Sequence, residues 1–116
     1  MNRYGILFYS LLAVVSWLAV TPLDVPQMNT DWGDKINHAA AFAVLFVAGY
    51  KAYRRVFTLW AGLIAYGVFI EAVQSFLPFR FASAEDVVAD IAGIALGHSA
   101  VFLLKKSRLT ASVFKN

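Results

Sequence analysis

The sequence predicts an all-α fold, a bundle of four transmembrane helices with both termini on the cytoplasmic side. Three observations lead there. Apolar residues make up 60% of the 116 residues and charged residues 15%, against roughly 45–50% and about 25% in soluble globular chains. The apolar residues fall into four stretches separated by polar breakers. The basic residues gather at the ends of those stretches that share one membrane face. A soluble domain this small has a large surface to cover with polar groups, and this chain lacks them. Mean hydropathy is +0.66. An ordinary cytosolic enzyme and a disordered tail are both excluded. The length fits one domain, residues 1–116.

Each element follows in order. The first span, about 4–21, runs uncharged from Tyr4 to Val20. Arg3 before an apolar run could open a signal peptide, but no small-x-small cleavage site follows, so an uncleaved anchor is expected. Pro22 and Pro26 break the chain, and the loop continues through Asn29, Asp31 and Gly33. The second span, about 35–53, covers the apolar run from Ile36 to Tyr50. A tight basic turn over Lys51, Arg54 and Arg55 leads into the third, about 56–77, which is interrupted only by Glu71 and Gln74 and followed by Pro78. The second and third have strictly uncharged runs of only about 15 residues, below the 17–25 of a typical span. They cross only if polar residues at their ends enter the bilayer. The fourth, about 84–104, carries Asp90 and His98 and ends in a basic tail, 105–116. Helices are expected because a lipid-facing backbone must satisfy its own hydrogen bonds.

Charge sets the orientation. With four spans, Arg3, Lys51, Arg54, Arg55, Lys105, Lys106, Arg108 and Lys115 share one face, and only Lys35 and Arg80 lie on the other. The positive-inside rule places the first group in the cytoplasm. All the acidic residues, from Asp24 to Asp90, lie on or toward the outer side. The pI of about 9.4 therefore marks a membrane face and gives no support to nucleic-acid binding. The chain has no cysteine, so disulfides, thiolate chemistry and cysteine-based zinc sites are excluded. No phosphate loop, dinucleotide turn or serine-hydrolase elbow occurs.

A polar cluster is expected near the outer face. Asp34 and His38 are one helical turn apart, Glu71 and Gln74 three residues apart, and Asp86 and Asp90 four apart. Counted from Pro78, Glu71 lies about 10 Å below the helix end, and His38 lies about 6 Å in from Asp34. An ionisable side chain at a span's centre costs at least about 2.5–3.5 kcal/mol on insertion scales and is a candidate for function by default. Several such groups at similar depth are best accommodated in one shared pocket, with the acids set against Lys35, His38 and Arg80. Gly93 and Gly97 continue the Asp86–Asp90 stripe and permit close helix approach, within one chain rather than at a dimer seam. His98 lies deeper and is expected to make a polar contact between helices. Trp17, Trp32 and Trp60 sit near span ends as interfacial anchors do.

The order and spacing of these residues resemble the VanZ-like family of small bacterial membrane proteins. The resemblance rests on Asp34-Lys35-x-x-His38-x-x-x-Phe42, Glu71-x-x-Gln74-x-x-x-Pro78-x-Arg80 and Ser83-x-x-Asp86-x-x-x-Asp90-x-x-Gly93-x-x-x-Gly97. It covers about residues 34–97. Asp90 departs from it, since Asn is more usual in the family at that place. The family is named for a protein associated with resistance to teicoplanin, a glycopeptide that binds cell-wall precursors. The resemblance implies a bacterial inner-membrane location and an envelope role related to glycopeptide resistance, without transferring resistance to every member.

The leading functional expectation is an outer-facing pocket that binds a lipid headgroup or a lipid-linked envelope precursor. Asp34, Lys35, His38, Glu71, Gln74, Arg80, Asp86 and Asp90 would line it. Lys35 and Arg80 would meet anionic groups, Arg80 through its planar donor fork. Two alternatives stand beside it. In one, the protein is a membrane-embedded hydrolase or transferase with His38 and Glu71 as acid and base. In the other, it is a structural or regulatory subunit whose cluster only fixes helix register. His38, Glu71, Asp86 and Asp90 are suitable metal ligands by type, but two histidines and no compact ligand motif lead to an expectation of no metal and no cofactor. Partners beyond lipid are a homo-oligomer or another membrane protein.

Overall fold

A computed structural model of the protein describes residues 2–21, 31–77 and 84–114, the side chains of residues 31, 32, 34 and 108–114 aside. It contains four helices in chain order: α1 (Arg3–Val20), α2 (Asp31–Tyr53), α3 (Val56–Gln74) and α4 (Ala84–Phe114). No strand occurs among the described residues. The all-α, four-helix expectation therefore holds.

Local chemistry explains the boundaries. Asn2 caps α1 by accepting from the Gly5 N–H through its side-chain oxygen at 2.8 Å, which satisfies one of the orphan donors of a first turn. The α2–α3 turn closes at Arg54, which takes a left-handed φ of 56° while its N–H donates to the Tyr50 carbonyl at 2.8 Å. That is the left-handed cap geometry usually filled by glycine. α3 ends three residues earlier than the expected span, where helical bonding gives way to tighter i→i−3 turns, the Phe76 N–H on the Val73 carbonyl and the Leu77 N–H on the Gln74 carbonyl. α4 opens with Glu85 and Asp86 in its first turn, where acidic side chains favour the helix dipole. It then continues to Phe114. The basic tail after Leu104 continues α4 through residue 114, since no glycine or proline lies in residues 105–114.

Three helices, α1, α3 and the Ala84–Ser107 part of α4, are long and apolar enough to cross a membrane. α2 has 23 residues, also enough for a crossing, but its first turns carry Asp31, Asp34, Lys35 and His38. It is also the helix the others surround. α1, α3 and α4 all pack against α2, and the α2–α4 contact is the most extensive. Phe42, Leu45, Phe46 and Ala48 of α2 form the core with Phe8, Leu59, Leu63, Ile94 and Val101. Outward-facing Phe57, Phe69, Leu96, Phe102 and Leu103 remain largely exposed. An apolar exterior around a more polar central helix suits lipid as the surrounding solvent.

The α2–α4 approach depends on small residues. A β-carbon built on Gly93 would overlap the Ala39 carbonyl, and one on Gly97 would lie 2.6 Å from the Ala43 carbonyl oxygen. Both glycines therefore pack on α2 within one chain. Trp60, expected near a span end, also makes a contact between helices. Its indole Nε1 donates to His98 Nδ1 at 3.1 Å, and both rings pack on Phe46, which gives His98 its contact between helices. Trp17 is exposed, and the Trp32 side chain lies outside the described residues.

Candidate functional site

Three helices bring the polar residues together. On α4, buried residues at 86, 90, 93, 94, 97 and 101 follow helical spacing, so Asp86 and Asp90 stand on the face that meets α2. Asp86 is 3% exposed and Asp90 1%. On α2, Lys35 and His38 face that stripe, and on α3 Glu71 is 8% exposed.

The contacts are specific. His38 Nδ1 lies 2.7 Å from Asp90 Oδ1. Lys35 Nζ lies 3.3 Å from Glu85 Oε2 and 4.0 Å from Asp86 Oδ1. One ligand atom from each of His38, Glu71 and Asp86 lies within 4.8 Å of the others. The Asp90 carboxylate extends toward α3 at Gly67, where a β-carbon would lie 2.7 Å from Asp90 Oδ2. That glycine lets the acid approach the helix backbone.

Depths shift with the helix ends. Because α3 stops at Gln74, Glu71 lies in its last turn, about 5 Å from the end instead of the 10 Å counted from Pro78. Because α2 begins at Asp31, His38 lies about 10 Å in instead of 6 Å. Asp90 follows the start of α4 by six residues, about 9 Å. The groups still meet at one end of the bundle.

Of the expected site residues, Lys35, His38, Glu71, Asp86 and Asp90 are therefore gathered. Gln74 is buried, but its Nε2 donates to the Ala19 carbonyl on α1 at 3.0 Å, which ties two helix ends together. The side chains of Asp34 and Arg80 lie outside the described residues. Two participants were not expected. Glu85, which shares Lys35 with Asp86, sits beside Asp86 in the sequence, and that adjacency was its only signal. Gly67 had no signal, since its role appears only when α4 is placed against α3.

The arrangement has defined chemistry. Asp90 fixes the His38 ring, and a proton on Nδ1 leaves the lone pair on Nε2. Glu71 and Asp86 add carboxylate oxygens near the ring. The expectation of no metal rests on two histidines and the lack of a compact ligand motif. In space the three donors are compact, because each comes from a different helix.

A second polar feature lies at the other end of the bundle. A cavity of about 200 Å³ is lined by Tyr4, Tyr50, Lys51, Arg54 and Lys105 among others. Lys51 sits 5.2 Å over the Tyr4 ring and Lys105 4.9 Å over Tyr50, so the cations rest on aromatic faces.

The family model described as VanZ/LLP1 matches residues 4–105 of the chain. No curated protein and no solved structure matches it.

Proposed function

The chain belongs to the VanZ/LLP1 family, and on that premise we propose that it is a multi-pass protein of the bacterial inner membrane, with an envelope role, that binds the polar head of a lipid or a lipid-linked envelope precursor. One observation carries the reading. A bundle with an apolar exterior gathers Lys35, His38, Glu71, Asp86 and Asp90 at one end, and its three acids are more than nine-tenths buried. A salt-bridge network that only held helices together would be replaceable by apolar packing at no loss of stability. Exposed apolar faces along α3 and α4 give acyl or prenyl chains a surface beside the cluster.

Lipid retention tests this. Lys35 is the described cation at the cluster's entrance, with 29% of its side chain exposed. Lys35→Ala is expected to lower the anionic lipid that co-purifies with the gently extracted protein by about 10-fold or more, the value of a hydrogen bond to a charged group. Unchanged lipid content in a folded variant contradicts the reading.

A second reading is favoured by the His38–Asp90 contact at 2.7 Å. An imidazole oriented by a carboxylate, with a glutamate beside it, is a general acid–base arrangement. A hydrolase or transferase acting on a lipid-linked precursor would use His38 and Glu71 in those roles. In that case His38→Ala and Glu71→Gln abolish turnover while lipid retention survives. Loss of retention together with turnover assigns both residues to binding instead.

A further inference from the structure

We infer that His38, Glu71 and Asp86 hold one divalent cation, and that the headgroup bound at the cluster is a phosphate joined to the protein through that cation. The phosphate half rests on the headgroup reading above. The cation half stands without it.

The geometry comes first. Tetrahedral ligands about 2.1 Å from one ion lie about 3.4 Å apart. The three donor atoms lie within 4.8 Å of one another, so side-chain movements on the order of an ångström close the set. The donors come from α2, α3 and α4, and close α2–α4 packing holds two of those helices in register. An imidazole with two carboxylates suits Mn²⁺ or Zn²⁺ by ligand type. Three protein ligands leave coordination positions open for oxygens of a bound phosphate.

The surroundings match such a site. Ligating histidines usually donate their other ring nitrogen to a carboxylate, which fixes tautomer and orientation. With Nε2 on the ion, Asp90 fills that place, 2.7 Å from His38 Nδ1. Gly67 makes room for Asp90 in turn.

Charge supplies the reason. Glu71, Asp86 and Asp90 are buried together, and among the described residues Lys35 and His38 are the basic groups beside them. Buried carboxylates held this close favour a bound cation in a low dielectric, and a divalent ion among them gives a phosphate a positive centre to meet.

The test uses the full chain in detergent, stripped with EDTA and titrated with Mn²⁺, with free ion followed by electron paramagnetic resonance. Wild type is expected to bind one Mn²⁺ per chain. His38→Ala and Asp86→Asn weaken it at least about 10-fold, and Asp90→Asn by about 10–100-fold, as for other partners of ligating histidines. His98→Gln leaves it unchanged. Thermal unfolding of each variant shows that it is folded, and Glu71→Gln replaces any that is not. Absence of saturable Mn²⁺ and Zn²⁺ binding by wild type, or equal binding by the folded variants, overturns the cation site. A second arm places the protein in phosphatidylcholine nanodiscs with a polyprenyl phosphate. EDTA is expected to abolish its retention and Mn²⁺ to restore it, with inorganic phosphate competing. Retention indifferent to EDTA overturns the bridging role and leaves the headgroup reading intact. Mn²⁺ binding without any retention overturns the headgroup reading and leaves the cation site intact.

Discussion

At the scale of single residues, two glycines on α3 make opposite predictions. Gly67 lies beneath Asp90, and a methyl group there would stand 2.7 Å from a carboxylate oxygen. Gly67→Ala is expected to destabilise the protein by about 1–3 kcal/mol, the range for overpacking, read as a lower unfolding temperature in detergent. Gly62 meets nothing within 4 Å. Gly62→Ala is expected to stabilise by about 0.5–1 kcal/mol through lost chain entropy. The contrast shows what single residues disclose in advance. His38, Glu71, Asp86 and Asp90 were legible because an ionisable group within an apolar span demands an explanation. The pairing of His38 with Asp90 was not, since 52 residues separate them. Nor was the use of Gln74, whose amide serves a carbonyl on α1.

At the scale of elements, helix existence followed from hydropathy, and helix ends followed from caps and turns that hydropathy does not register. Polar residues at the start of α2 are part of the helix because a helix can satisfy its backbone inside or outside the bilayer. α4 passes Lys105 for the same reason, and its 31 residues extend about 46 Å, beyond a hydrocarbon core of about 30 Å. The α2–α3 turn offers a test. Arg54 holds a left-handed conformation that is unfavourable by about 1–2 kcal/mol for a residue with a β-carbon. Arg54→Gly is expected to stabilise by about 1 kcal/mol, measured by thermal unfolding. Across the α2–α4 contact, Gly93→Ala is expected to cost about 1–3 kcal/mol, because the added methyl overlaps the Ala39 carbonyl.

At the scale of the whole molecule, the protein has two unlike ends. One holds the histidine and the buried carboxylates. The other holds Lys51, Arg54 and Lys105 around a small cavity with two tyrosines. That asymmetry supports the proposal that the basic end faces the cytoplasm. A reporter active only outside the cytoplasm, fused at Asn116, is expected to stay inactive, and activity there reverses the orientation. The central claim is that the acidic end receives a lipid headgroup. Native mass spectrometry of the gently extracted protein tests it most directly. The account predicts a protein ion carrying one phosphate-containing lipid, lost in Lys35→Ala. Wild-type protein that flies free of lipid under conditions preserving its fold contradicts it.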